Sequence, residues 1–381
     1  MSPHWRGTSH PFRSPRAAAA ASGQKKRSRR LSSTDVTAEL LEGRVLLSTY
    51  VVTNLNDAGP GSLRDAIARA NQSGGADAVG FSHKLAGMIV LTSGQLEIGD
   101  DLTIRGPGAS ALTVSGSNQS RIFEVDANVT AAISGLTLAG GHPLGFGIGG
   151  GGVLNNGMLT LTDSTLANNF AGGPGGGIDN TGNGTLAVNR CTLSVNSAGG
   201  GGGGIENDGN LIVTGSTFSS NLAGTFDPTG GGITNYGVAS VADSAFSRNQ
   251  GGYGAGVANP AGTLAVARCW FANNVAANQG GGIYTLGMLS VSDSIFVGNS
   301  ARHTGGGVDI ENGTATLFNT LVALNSADQG GAIEIDNGTA TLSYSIVFGN
   351  QSAVGSGIDS GNGTVTLYDT LVAGNSAALF T

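Results

Sequence analysis

A phrase of about 25 residues occurs nine times between residues 150 and 377, and this repetition constrains the fold more than any other property of the chain. Each copy opens on glycines and a branched apolar residue, from Val153, Ile178 and Ile205 through to Ile358. Each closes on asparagine: Asn169, Asn196, Asn221, Asn249, Asn274, Asn299, Asn325, Asn350 and Asn375. Successive asparagines are 27, 25, 28, 25, 25, 26, 25 and 25 residues apart. A period of this size means a solenoid, in which each unit buries its apolar edge only by stacking on its neighbours.

The pattern inside each copy selects the type. Apolar residues recur at every second position, as in Leu159 and Leu161, Leu211 and Val213, or Leu289 and Val291. Period two means strand. A further apolar column lies three residues before each asparagine and includes Phe218, Phe246, Phe271 and Phe296. No copy holds a useful 3.6-residue pattern, which removes the helical repeats. The sequence therefore predicts an all-β, right-handed parallel β-helix with three short strands per ~25-residue coil. Nine regular coils spaced about 4.8 Å apart make a rod of roughly 43 Å. The four phenylalanines should form a ladder of rings. The asparagines are read as structural, through tolerance of left-handed backbone and amide bonding along the stack. Cys191 and Cys269 share a repeat position three coils apart, with Ser216 and Ser244 between them. A separation of about 14 Å exceeds disulfide reach, so two free thiols are expected.

The chain divides into two segments. Residues 1–48 are read as a disordered basic tail or sorting segment, with a basic run from Lys25 to Arg30. Residues 49–381 form the β-helix: an N-terminal strand and capping helix over 49–80, irregular coils over 81–149, and nine regular coils over 150–381. Ser62 reads as a helix N-cap, and Leu63, Ala66, Ile67 and Ala70 share one helical face. Such a helix would cover the open first coil. Charge divides along the same boundary. Residues 1–48 hold 9 of 18 basic and 3 of 25 acidic side chains; the remaining 9 basic and 22 acidic residues give the body −13. An acidic rod argues against nucleic acid as a partner. No run of 18 apolar residues is present, so no transmembrane helix is expected.

Short motifs add resemblances. Leu41 to Ser48 resembles the LEPR-XLL motif of large exported bacterial surface proteins, with Gly43 where that motif has proline. Gly61-Ser62-Leu63-Arg64-Asp65-Ala66-Ile67 resembles the CSLREA-type segment that precedes bacterial right-handed β-helices, without its cysteine. Gly330-Gly331-Ala332-Ile333, together with the Phe218–Asn221, Phe246–Asn249, Phe271–Asn274 and Phe296–Asn299 pairs, resembles the polymorphic outer membrane protein repeat on a pectin-lyase-like β-helix. That resemblance covers about 60% of the chain and implies a role at a bacterial surface, commonly adhesion. Family members that are autotransporters carry a C-terminal barrel. This chain ends at Thr381 after an ordinary coil, so self-translocation is not expected, and the absence of an evident cap suggests self-association or a continuation.

Two candidate sites emerge. The residue after the branched apolar position should point outward, which puts Asp309, Glu334 and Asp359 in one column with Glu311 and Asp336 beside it. Five carboxylates in three coils repel one another unless screened or bridged, and calcium prefers oxygen ligands. Three readings stand here: a solvated acidic face, weak calcium binding at all five, or catalysis by Asp309, Glu334 and Asp359 as in glycoside hydrolysis. Arg302 and His303 are the nearby basic side chains. The second site is apolar: Trp270, Ile295, Leu321, Ile346 and Leu371 occupy the position before the inward column and should form a stripe of roughly 19 Å. It suggests a glycan or protein partner or cover by another segment; the opposing reading is that a bent strand buries both columns. The sequence thus favours an exported bacterial surface β-helix, extracellular or cell-bound, acting in adhesion or envelope structure without catalysis or a required cofactor. The alternative is a polysaccharide lyase or glycoside hydrolase acting on acidic glycans.

Overall fold

A computed structural model of the protein describes residues 48–224 and 229–377. The tail, its basic run and nearly all of the LEPR-XLL-like segment lie outside the described residues. The body is a parallel β-solenoid of about 13 turns. Its strands stack into three long sheets of 13, 12 and 11 strands. Sheet 1 runs from Thr49–Val52 to Thr364–Tyr368, sheet 2 from Gly87–Val90 to Leu371–Ala373, and sheet 3 from Leu96–Ile98 to Ile358–Asp359. Three smaller sheets of two, three and two strands form at the glycine-rich corners. The strands of the coils over 81–149, including Leu96–Ile98 and Thr130–Ser134, join the long sheets in register with the later coils.

Period-two alternation produces the core because each inward residue lies over its counterpart in the next coil. Leu159, Leu186, Leu211, Ala239 and Leu264 are paired rung by rung and all are buried. The rings of Phe218, Phe246, Phe271 and Phe296 stack with centroids 4.7, 4.7 and 4.6 Å apart and planes within 8°. This is the ring ladder that the spacing predicts, at the coil-to-coil distance of a sheet.

The asparagine column is a hydrogen-bonded ladder. Asn221 Nδ2 donates to Asn249 Oδ1 at 3.0 Å, Asn249 Nδ2 to Asn274 Oδ1 at 3.0 Å, and the series runs from Asn169 to Asn375. Half of its explanation needs correction. The left-handed residue is the one before each asparagine, such as Asn168, Val195, Ser220, Arg248 and Asn273, and not the asparagine itself. What the amide side chain supplies is hydrogen bonding along the stack, to the neighbouring amides and to the backbone of the preceding coil. A second buried ladder, unforeseen from the sequence, consists of Asn155, Asn180, Asn207, Asn235 and Asn259. Ser164, Cys191, Ser216, Ser244, Cys269 and Ser294 form a third column, in which Oγ of Ser216, Ser244 or Ser294 accepts the backbone N–H of the preceding coil. Both thiols are free and buried, as the three-coil separation requires, and burial pushes each up to about 11.

The helix Leu63–Ser73 closes the first coil. Ser62 caps it by accepting the Asp65 N–H at 3.1 Å, and Leu63, Ala66, Ile67 and Ala70 are buried against the first strands of the solenoid. Arg64 fastens the helix, donating to Asp57 and to the carbonyls of Gly94 and Gln95. Burial alone would raise the Asp57 carboxyl, but hydrogen bonds from Ser93, Arg64 and Thr92 outweigh it and hold the group down at about 2. No helix among the described residues is long and apolar enough to cross a membrane.

Candidate functional site

The outer face of sheet 3 carries the acidic column. Pairing places Tyr284, Asp309, Glu334 and Asp359 on successive rungs, with Glu311 beside Asp336 on the neighbouring outward row. The five expected carboxylates are therefore neighbours, but their environment differs from a solvated face. Asp309 is 1% exposed and Glu334 5%; Asp359, Glu311 and Asp336 are half-buried. The glycine corners account for this. Gly305 and Gly330 have φ of +63° and +55°, and a Cβ on either would lie 2.5 Å from the Asp309 Cβ or the Glu334 Oε2. Each acid is thus folded beneath the backbone of its own coil. Alternation gives the side of a sheet on which a residue sits, but not what lies over it.

Burial dominates the electrostatics of this column. It raises the Asp309 carboxyl to about 7, assisted by Glu311 and Asp336 and opposed by the hydroxyl of Thr304, which donates to Oδ2. It raises Glu334 to about 8, reinforced by Asp359, Asp309 and Asp336. Both therefore keep their protons well above the pH at which an ordinary carboxyl ionises. Asp309 Oδ1 and Glu334 Oε2 are buried without a hydrogen-bond partner. The Tyr284 hydroxyl donates to Glu311 at 2.8 Å. Arg302 and His303 are exposed in the preceding loop, where His303 Nδ1 lies 3.9 Å from Asp328. Among the described residues, no three His, Cys, Asp or Glu side chains converge as a metal-ligating group.

The same column holds a second acidic pair that the sequence reading overlooked. Asp179 and Glu206 occupy adjacent rungs and are 8% and 5% exposed. Burial, then Asp208, raises Asp179 to about 6, while Arg121 works in the opposite direction. Burial, Asp208 and Asp179 hold Glu206 well above the usual carboxylate range, and its Oε2 is unpartnered. Arg121 is thus a base beside carboxylates, which the later cluster lacks. Its guanidinium is committed, however: it donates to the carbonyls of Gly149 and Gly150 at 2.9 and 3.0 Å, to Gln95 at 2.7 Å and to Glu124 at 3.0 Å. The sequence signal was present, since Asp179 and Glu206 follow Ile178 and Ile205 in the same way that Asp309 follows Val308.

The apolar stripe lies on sheet 2. Trp270, Ile295, Leu321, Ile346 and Leu371 pair rung to rung in one column. Trp270, Ile346 and Leu371 are 51, 44 and 55% exposed, and Ile295 and Leu321 are half-buried. The strand does not bend enough to bury both of its columns, because the inward Phe271, Phe296 and Val322 remain fully covered. Earlier rungs carry Thr165, Thr192, Thr217 and Ala245 in the same place. At the later coils the apolar surface widens with exposed Phe348 and with Phe318, whose ring meets Tyr344 edge-on at 5.6 Å.

No protein-family model and no curated protein matches this sequence. Among solved structures, the solenoid is similar to the A-module of the mannuronan C-5 epimerase AlgE4 from Azotobacter vinelandii, at 14% identity over 83% of this chain and 91% of that one, with a TM-score of 0.49. It is also similar to the catalytic domain of a GH87 alpha-1,3-glucanase, at 12% identity over 84% of this chain and 69% of that one, with a TM-score of 0.40. Both likenesses concern the fold: a parallel β-solenoid.

Proposed function

We propose that this chain is an exported bacterial surface protein that acts in adhesion or envelope structure, with the outer face of sheet 2 as its contact surface. The observation that carries this reading is the outward column from Trp270 to Leu371, five apolar rungs in register, of which Trp270, Ile346 and Leu371 are exposed and Ile295 and Leu321 half-buried. Rigid side chains held at fixed spacing lose little freedom when a partner covers them. The resemblance of the glycine and Phe-to-Asn motifs to the polymorphic outer membrane protein repeat supports the same location. Pelleting the protein with intact bacteria and isolated envelopes tests it. The double substitution Trp270→Ser with Leu371→Ser should weaken binding by about tenfold or more while leaving melting nearly unchanged. Equal binding by parent and variant would remove the stripe from the function, and a large drop in melting temperature would make it a packing surface.

A second reading, action on acidic polysaccharide, has one observation in its favour. Asp309 and Glu334 stand on adjacent rungs, and Glu334 retains its proton at neutral pH, as a general acid must. Against it, both side chains are covered, and Arg302 and His303 face solvent. Under the adhesion reading, an assay for reducing or unsaturated ends on acidic polysaccharides gives no turnover. Turnover abolished by Asp309→Asn, Glu334→Gln or Asp359→Asn would establish the enzyme instead.

A further inference from the structure

Among the described residues, three carboxylate oxygens are buried with no partner: Asp309 Oδ1, Glu334 Oε2 and Glu206 Oε2. An ionised oxygen in such a place loses its hydration and gains nothing in return. A bound proton removes most of that cost. Asp309 and Glu334 are the in-register pair, and the groups around them are all acidic or neutral. Tyr284 lies on the rung before Asp309, Glu311 on its own strand, Asp336 beside Glu334, and Asp359 on the rung after. Thr304 reaches Asp309 from the preceding loop, whereas Arg302 and His303 of that loop are exposed. Among the described residues no cation compensates the pair. The backbone of Gly305 and Gly330 rests directly on the two acids, with no room for a Cβ between.

We propose that the Asp309–Glu334 pair is a proton-operated latch on the glycine corners of sheet 3. With both carboxyls neutral, the corners at Gly305 and Gly330 lie closed. When the protons leave, the charged groups move toward water and lift these corners from the sheet. Because the two sites interact, they titrate as a pair and the second ionisation is the harder. The sign follows from linkage. Both acids hold their protons more tightly in the folded state than in the unfolded chain. The stability they contribute is therefore full at acidic pH, declines once the unfolded chain begins to ionise near its ordinary carboxylate range, and is lost as pH rises through about 7 and about 8. The inference is independent of the adhesion reading, since it concerns sheet 3 and not sheet 2.

Hydrogen exchange of the full chain, followed by mass spectrometry between about pH 5 and pH 9 and corrected for intrinsic exchange, tests it. Peptides spanning 300–312 and 325–337 should lose about tenfold protection or more over that range, relative to peptides carrying Phe218 and Phe246. The double variant Asp309→Asn with Glu334→Gln should keep its protection throughout. Unchanged protection in the parent, or an equal loss in the double variant, would overturn the latch. So would millimolar calcium restoring the parent's protection at the alkaline end, because the column would then be a cation site. Should the double variant not fold, carboxyl-carbon NMR of the parent decides: titration of Asp309 and Glu334 in the ordinary carboxylate range refutes the proposal, and titration near neutrality supports it.

Discussion

Replacing Phe271 by alanine should lower stability by about 3–5 kcal/mol, as for large-to-small changes in rigid cores. The ring is fully buried between those of Phe246 and Phe296, at 4.7 and 4.6 Å. The void cannot close by approach of these neighbours, because strand hydrogen bonds on both sides fix the distance between coils. Nor can the corner move in: the backbone of Gly256 already lies against the ring, where a Cβ would sit 2.8 Å from Cδ1. Phe271→Leu keeps much of the volume and should cost less than half as much. Urea unfolding followed by circular dichroism and by tryptophan fluorescence measures both. Trp270 immediately precedes the altered residue on the same strand, so the two probes also show whether that coil separates from the array, as repeat proteins allow. A loss under about 1 kcal/mol would mean that the rings are not a close-packed column.

Asn249→Ala should be about as damaging, for a different reason. Asn249 Oδ1 accepts both the backbone N–H and the Nδ2 of Asn221, each at 3.0 Å, and Asn249 Nδ2 donates to the carbonyl of Phe218 at 3.0 Å. Truncation deprives three buried groups of the preceding coil of those partners, and removes one donor from Asn274 Oδ1 of the following coil. At about 1–3 kcal/mol for each orphaned group, partly relieved by relaxation, the loss should be roughly 3–5 kcal/mol. Asn249→Asp supplies acceptors but removes both donors and buries a charge, so it should be no better than alanine at neutral pH. Thr341→Ala on the outer face of sheet 1 serves as the control, with a change within about 0.5 kcal/mol. Equal melting of Asn249→Ala and this control would show that the ladder contributes nothing to stability.

The parts of the structure that follow from stacking were legible in the sequence. A repeated Phe three residues before a repeated Asn fixes the register, and from register come the ring ladder, the free thiols three coils apart and the exposed rungs from Trp270 to Leu371. Ser62 and the apolar face of Leu63, Ala66, Ile67 and Ala70 likewise disclosed the capping helix. What escaped was the covering of one coil by its own corner. The position of Asp309 and Glu334 on the outer face follows from alternation, but their burial depends on Gly305 and Gly330 turning back over them, which period-two reasoning does not describe. Asp179 and Glu206 obey the same positional rule, but as two isolated acids they stand out less in the sequence than the dense run from Asp309 to Asp359. The second asparagine ladder was visible too, two residues after Val153, Ile178, Ile205, Ile233 and Val257, but was masked by the stronger signal at the close of each coil.

The first asparagine ladder gives the molecule a direction. From Asn169 to Asn350 each Nδ2 donates to the Oδ1 of its C-terminal neighbour, so each of these coils presents a donor toward the next coil and an acceptor toward the one before. A duplicate of any one such turn, spliced between two others, would meet the same complementary groups above and below that it left behind. Gene duplication can therefore alter the span of this molecule in whole steps, and lengthen or shorten the reach of its contact surface, without any interface having to be reinvented.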